Sequence, residues 1–261
     1  MSWFRRLRLL VLSLVLLVVA ATAWQDRIRS TRWREPLFVA IYPVAADDSP
    51  VTRRYLESLD GERFRAIDGF FAREAARYGL GTNEPVRTRL QSEIHALPPT
   101  RSAGAGIPAT VLWSLRLRFW AWNISRHANE PEDIRIFVLY HDPSLTPTVP
   151  HSLGLTKGLI GVVYAFAAPE MNGANNVVIA HELLHTVGAT DKYDLSTDAP
   201  LFPDGYGDPL QRPLYPQSTA ELMAGRRVLA PDRWQQPSNL DEMVIGNATA
   251  LEIRWPQHAG R

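Results

Sequence analysis

The feature that most constrains this 261-residue chain is the stretch Asn175–Asp194, NNVVIAHELLHTVGATDKYD, where two histidines stand four residues apart inside an apolar run. On an α-helix, positions i and i+4 lie on one face, one turn above the other, so the imidazoles of His181 and His185 can present two nitrogens to a single point. Val177, Val178, Ile179, Ala180, Leu183, Leu184 and Val187 fill most of the other positions, and a helix apolar nearly all round has to be buried. Burying two imidazoles and the Glu182 carboxylate is costly unless something satisfies them, and a metal ion does so. Glu182 follows the first histidine and is rotated off the shared face. Its carboxylate can reach a water beside the metal without occupying the metal, which is the general-base position. Asn175 or Asn176 is expected to cap the helix, and Gly188 to end it in the left-handed conformation.

Gly188 comes three residues after His185 and Asp191 six after it, giving His-Glu-x-x-His-x-x-Gly-x-x-Asp. The glycine permits a sharp turn that would return the Asp191 carboxylate as a third protein ligand and leave a fourth position for water. From Ala180 to Asp191 the chain resembles the metzincin metallopeptidases, whose extended zinc motif usually ends in His, and more closely the snapalysin type, which ends in Asp. The resemblance implies one catalytic Zn²⁺ on His181, His185 and Asp191, Glu182 as base, and a peptide or protein substrate. It also implies a methionine in a tight turn beneath the metal, for which Met223 in Ala220–Gly225 is the candidate; as a common gap-filler, Met223 reads equally as a packing residue. Gly225 occupies the place where some metzincins carry a tyrosine, so an oxyanion-stabilising tyrosine is not evident there.

Two other readings stay open. In a gluzincin arrangement the third ligand is a glutamate from a later element, here Glu221, with Glu242 less favoured, and Asp191 would orient a histidine instead. The glycine before Asp191 favours Asp191. A non-catalytic envelope protein with a structural zinc site would not need the base that Glu182 supplies.

Arg5, Arg6 and Arg8 precede an apolar run from Leu9 to Ala23, and Ala21-Thr-Ala23 offers a small-residue cleavage site. Residues 1–23 therefore read as a signal peptide or signal anchor, 24–35 as a polar spacer, and 36–261 as the catalytic domain. The run of about 15 apolar residues is short of the ~20 that span a bilayer comfortably. Arg27, Arg29, Arg32 and Arg34 beyond it oppose translocation. The expected location is extracytoplasmic: periplasmic, secreted, or tethered by a membrane anchor. A net charge of +1 with no basic block excludes nucleic acid as an evident partner, and the lack of any cysteine excludes thiol catalysis, disulfides and Cys-ligated zinc.

Runs rich in β-branched and aromatic residues predict strands at Pro36–Val44, Asp133–Tyr140 and Leu159–Phe166, with a further strand in Pro85–Leu97. Helical spacing covers Thr52–Tyr78, broken near Gly61, and Pro108–Asn123, whose four bulky aromatics read as core rather than membrane contact. The order implies a mixed α/β (α+β) sheet with packed helices and a proline-rich C-terminal part. It resembles the metzincin upper subdomain, which makes Leu159–Phe166 the edge strand for extended substrate. His141 and His151 read as loop residues. Asp194, Asp198, Asp204 and Asp208 offer oxygen ligands for Ca²⁺, but without EF-hand spacing. Ser238–Trp255 is expected to form one or two short helices.

The N-terminal reading has a direct test. Residues 1–40 fused to a reporter active only outside the cytoplasm should give signal, and mass spectrometry of the mature N-terminus then separates cleavage after Ala23 from a retained anchor; a silent reporter would overturn the extracytoplasmic location.

Overall fold

The runs LFVAIYPVA and IRIFVLYH lie at the centre of a five-stranded sheet in this computed structural model. It describes residues 31–100, 106–126, 132–155 and 159–256, together with Trp3, Leu7, Arg8, Leu10 and Ser13. The strands are β1 (Leu37–Ala45), β2 (Val86–Leu90), β3 (Ile134–His141), β4 (Leu153–Leu155) and β5 (Ile160–Phe166), in spatial order β2-β1-β3-β5-β4. All pairings are parallel except β4 with β5. The helices are α1 (Pro50–Glu57), α2 (Arg65–Arg77), α3 (Ile107–Ser125), α4 (Asn172–Val187) and α5 (Asn247–Glu252). The chain thus adopts the mixed α/β class that the order of elements implies.

Because side chains alternate across a strand, β1 and β3 feed two cores. Val39, Ile41, Ile134, Ile136 and Val138 pack with α1, α2 and α4 on one face. Ala40, Tyr42, Val44, Phe137 and Leu139 meet α3 on the other, where the Trp120 and Phe137 rings lie 4.5 Å apart. Ile67, Phe70 and Phe71 of α2 are fully buried, each worth about 1.5–3 kcal/mol of apolar transfer. The expected helix from Thr52 to Tyr78 is broken as anticipated: Asp60 caps a 3-10 turn over Gly61–Phe64 that separates α1 from α2.

Four expectations are corrected. Of the four aromatics expected in the core along Pro108–Asn123, Trp113 and Trp120 pack inward, whereas Phe119 and Trp122 are exposed. Leu159–Phe166 is not an edge: β5 is flanked by β3 and β4, and the edge nearest α4 is the three-residue β4, hidden in a stretch that reads as loop. Strand character in Pro85–Leu97 stops at Leu90, beyond which only Ile94 bridges to Val44. Asn175 and Asn176 do not cap α4, which begins at Asn172. Asn175 instead clamps the end of β5, accepting from Phe166 N at 3.2 Å and donating to Phe166 O at 2.9 Å, while Asn176 donates to Arg63 O at 2.7 Å. An amide inside a buried helix can match a neighbouring peptide group in this way.

After α4 the chain carries only short pairings: β6 (Ala220–Glu221) with β9 (Met243–Val244), and β7 (Arg227–Ala230) with β8 (Arg233–Gln235). Asn239 caps the 3-10 turn Leu240–Glu242, and α5 follows. Trp33, within the stretch expected to be a spacer, is buried against Trp255 with ring centroids 5.5 Å apart and donates from its indole to Ile253 O at 2.7 Å. The signal segment 1–23 and the start of the spacer lie almost wholly outside the described residues. Among the described residues no helix is long and apolar enough to cross a membrane.

The Asn175 clamp yields a stability prediction. Asn175→Ala leaves both peptide groups of Phe166 short of a partner and should lower stability by about 1–3 kcal/mol, read as a drop of several degrees in the thermal midpoint. An unchanged midpoint would remove the clamp from the account of how α4 is held.

Candidate metal centre

Each imidazole on α4 is oriented by a backbone carbonyl. The Nδ1 of His181 lies 3.0 Å from Leu222 O and the Nδ1 of His185 lies 2.9 Å from Ala189 O. A carbonyl only accepts, so Nδ1 carries the proton in both rings and Nε2 of each neutral ring is left with a lone pair. The two Nε2 atoms are 3.0 Å apart, and Asp191 Oδ1 stands 3.2 Å from the first and 3.1 Å from the second. Three acceptors therefore face one another with no donor between them, an arrangement that repels itself unless a cation or a proton sits among them. The edge of a tetrahedron with Zn–N and Zn–O bonds of 2.0–2.1 Å is about 3.4 Å, slightly longer than these separations. Among the described residues, His181, His185 and Asp191 are the group whose ligand atoms could share an ion.

The electrostatics agree with that geometry. Burial pushes the His181 imidazole down, but contact with Asp191, the charge of Glu182 and the Leu222 carbonyl outweigh it and raise its pKa. Burial likewise pushes the Asp191 carboxyl up, yet the neighbouring imidazoles of His181 and His185 hold it well below the usual carboxylate range. Glu182 differs. It is 5% exposed, burial dominates and raises its pKa, and its Oε2 is buried with no hydrogen-bond partner. A buried carboxylate oxygen left unpaired by the protein is suited to a water or a substrate proton.

The third donor is delivered as the spacing predicts. Gly188 ends α4 at φ +112°, where its N–H and that of Ala189 both reach Leu184 O and the chain reverses. Glu252 of α5 then grips both neighbours of Asp191. It accepts from Thr190 N at 2.9 Å, from Thr190 Oγ1 at 2.7 Å and from Lys192 Nζ at 2.8 Å. Lys192 also donates its backbone N–H to Met223 O. Nothing in the sequence marks Glu252 or Lys192 for this task, because the partners lie about 60 residues apart.

Glu221, the alternative third ligand, is turned elsewhere. Its fully buried carboxylate accepts from Thr249 Oγ1 at 2.7 Å, Gly246 N at 3.1 Å and Ala224 N at 2.9 Å. It fastens the turn 221–225, whose Leu222 carbonyl orients His181. Glu242 accepts from Ser238 and also lies outside the metal-capable group. Met223 sits in that turn with no exposed surface and belongs to the main core. Three of the four carboxylates considered for Ca²⁺ are engaged locally: Asp194 accepts from Ser196 and Thr197, Asp198 pairs with Arg226 at 2.7 Å, and Asp208 accepts from Leu210 N.

A cleft of about 200 Å³ opens beside His181 and Glu182, walled by Tyr164, Val177, Tyr193 and Arg226 among others. His151, expected to be an ordinary loop residue, is on its rim, whereas His141 is not part of it. Tyr193 escapes notice in the sequence because it falls two residues beyond the motif. Edge strand β4 crosses above α4 at Gly154, where a Cβ would stand 2.5 Å from His185 Cβ and 2.6 Å from Glu182 O. Only glycine fits this approach, and Glu182 Oε2 lies directly beneath it.

No family model matches the chain, and no curated protein matches it. Among solved structures it is similar to catalytically inactive OgpA from Akkermansia muciniphila in complex with an O-glycopeptide substrate, glycodrosocin. The identity is 14%, 84% of this chain and 59% of that one are covered, and the TM-score is 0.33. The chain spans less than two thirds of that protein's length, and the likeness is too low to assign fold or activity.

Gly154→Ala tests the strand-on-helix approach. The added methyl meets backbone at under 3 Å, so β4 must shift, at a cost of about 1–3 kcal/mol. Hydrogen exchange should rise at Leu153–Leu155 first; unaltered exchange there would contradict the close packing.

Proposed function

We propose that the chain is a zinc-dependent peptidase of the extracytoplasmic space, acting within peptide or protein chains, with His181, His185 and Asp191 holding the metal and Glu182 as general base. The observation that carries this reading is the convergence of three lone pairs on one point with an unpartnered buried carboxylate oxygen beside it. Zn²⁺ bound there would act as a Lewis acid, acidifying a water molecule and polarising the carbonyl to be attacked.

The rest of the chemistry belongs to the chain's own residues. Glu182 takes a proton from the attacking water as the new carbon–oxygen bond forms, and delivers it to the amide nitrogen as the carbon–nitrogen bond breaks. Burial raises its pKa, which makes it a stronger base than an ordinary carboxylate. The carbonyls of Leu222 and Ala189 hold the Nδ1–H of each imidazole, which turns Nε2 toward the site, and the Glu252 grip keeps Asp191 in place. The unpaired side of β4 offers backbone groups to an extended peptide, which would lay a scissile bond over Glu182. The cleft beside it would receive a side chain.

Metal content and peptide cleavage measured together test this reading. Wild type should carry close to one Zn²⁺, His181→Ala and Asp191→Ala should lose most of it, and Glu221→Ala should keep it. Glu182→Gln should keep zinc while turnover falls on the order of 10²-fold or more. Zinc retained by the Asp191 variant but lost from the Glu221 variant would move the third-ligand role. A wild type that binds zinc and cleaves nothing in a broad peptide library would leave a structural site.

A further inference from the structure

α3 presents large apolar side chains on two sides, and the sheet covers only one. Leu117 and Ala121 are buried against the sheet with Trp113, Trp120 and Ile124 packed around them. On the opposite side Val111, Leu112, Leu115, Phe119 and Trp122 are each half or more exposed, Phe119 by 68%. At 3.6 residues per turn these five fall within an arc roughly 100° wide. Arg118 borders the arc on one side, Arg116 lies beyond Asn123 on the other, and Arg126 closes its C-terminal end with its guanidinium 5.8 Å from the Trp122 ring. No acidic residue occurs from Ile107 to Arg126. Among the described residues neither Arg116 nor Arg118 forms an ion pair.

An apolar arc of Leu, Phe and Trp framed by cations and free of carboxylates is the composition of a helix that lies in a lipid headgroup layer. Phe119 and Trp122, with ring centroids 5.9 Å apart, would occupy the acyl boundary while the arginines meet lipid phosphates. A protein partner would need a matching apolar strip rimmed with acids, whereas an anionic bilayer supplies both features along its whole surface. We propose that α3 docks on an anionic lipid surface with this arc downward, independently of the metal centre on the other side of the sheet. The N-terminal apolar run, where retained, would hold the domain within reach of that surface.

The chain has no cysteine, so one introduced thiol labels a single position. Full-length Phe119→Cys carrying an environment-sensitive dye is compared with Ala66→Cys on the exposed side of α2, which lies across the sheet. On vesicles of phosphatidylcholine with 30% phosphatidylglycerol, the dye at 119 should be quenched by lipid-borne nitroxide and shielded from aqueous iodide, with no change at 66. Adding Arg116→Gln and Arg118→Gln should weaken binding, read from the lipid concentration that half-shields the dye, by roughly 25-fold, about fivefold per charge. The proposal fails if the dye at 119 stays open to iodide on these vesicles. Equal shielding on pure phosphatidylcholine would overturn the anionic assignment. Shielding already present before lipid is added would overturn it as well, in favour of a second copy or the N-terminal run as the occupant.

Discussion

The centre of this structure is a repulsion that the fold is built to hold. With both Nδ1 atoms committed to carbonyls, two imidazole lone pairs and a carboxylate oxygen are held about 3 Å apart, and in the absence of positive charge the three would separate. They do not, because each sits on an element anchored by burial. Ile179, Ala180, Leu183 and Leu184 on α4 are fully buried, and the Asn175 clamp ties the helix to the end of β5. Stability drawn from the two cores is thus stored as preorganisation at one point, as a site for a cation would require.

The supports of that point come from far along the chain. Leu222 is positioned through the buried Glu221 carboxylate, and Ala189 and Asp191 through the glycine turn and Glu252. Two glutamates outside the His181–His185–Asp191 cluster therefore determine where its three facing atoms lie. Glu221 illustrates why a buried acid need not be functional in the chemical sense: three donors satisfy it, so it can remain buried without a metal. Glu182 is the contrast, similarly buried and left with an unpartnered oxygen.

What could be read in the sequence follows from how local each cause is. The helix, its two imidazoles, the base and the Gly188 turn all lie within the twenty residues 172–191, and 3.6-residue periodicity with one αL glycine is enough to place Asp191 beside the histidines. The main strands were visible because β-branched runs need no partner to be recognised. β4 was not, since three residues centred on glycine carry no alternation, and β5 was mistaken for the edge in consequence. Asn175 read as a cap because amides favour caps, but tertiary pairing with Phe166 overrode that preference. Glu252, Lys192 and the carbonyl of Leu222 were invisible for another reason: their roles are set by contacts between segments 30 to 60 residues apart, which no local pattern encodes.

The grip of Glu252 on the Asp191 loop reaches across 62 residues, and this bears on timing. A chain emerging from the ribosome can form α4 and bring its two imidazoles together well before residue 252 has been made. Until then the segment carrying the third donor has the Gly188 turn and the Lys192–Met223 bond but not the side-chain clasp on Thr190 and Lys192. The centre is therefore completed only once residue 252 has been made, and a chain that stops or is clipped before it lacks the clasp on its third donor. A centre wired in this way stays open while the part of the chain that carries it is already folding.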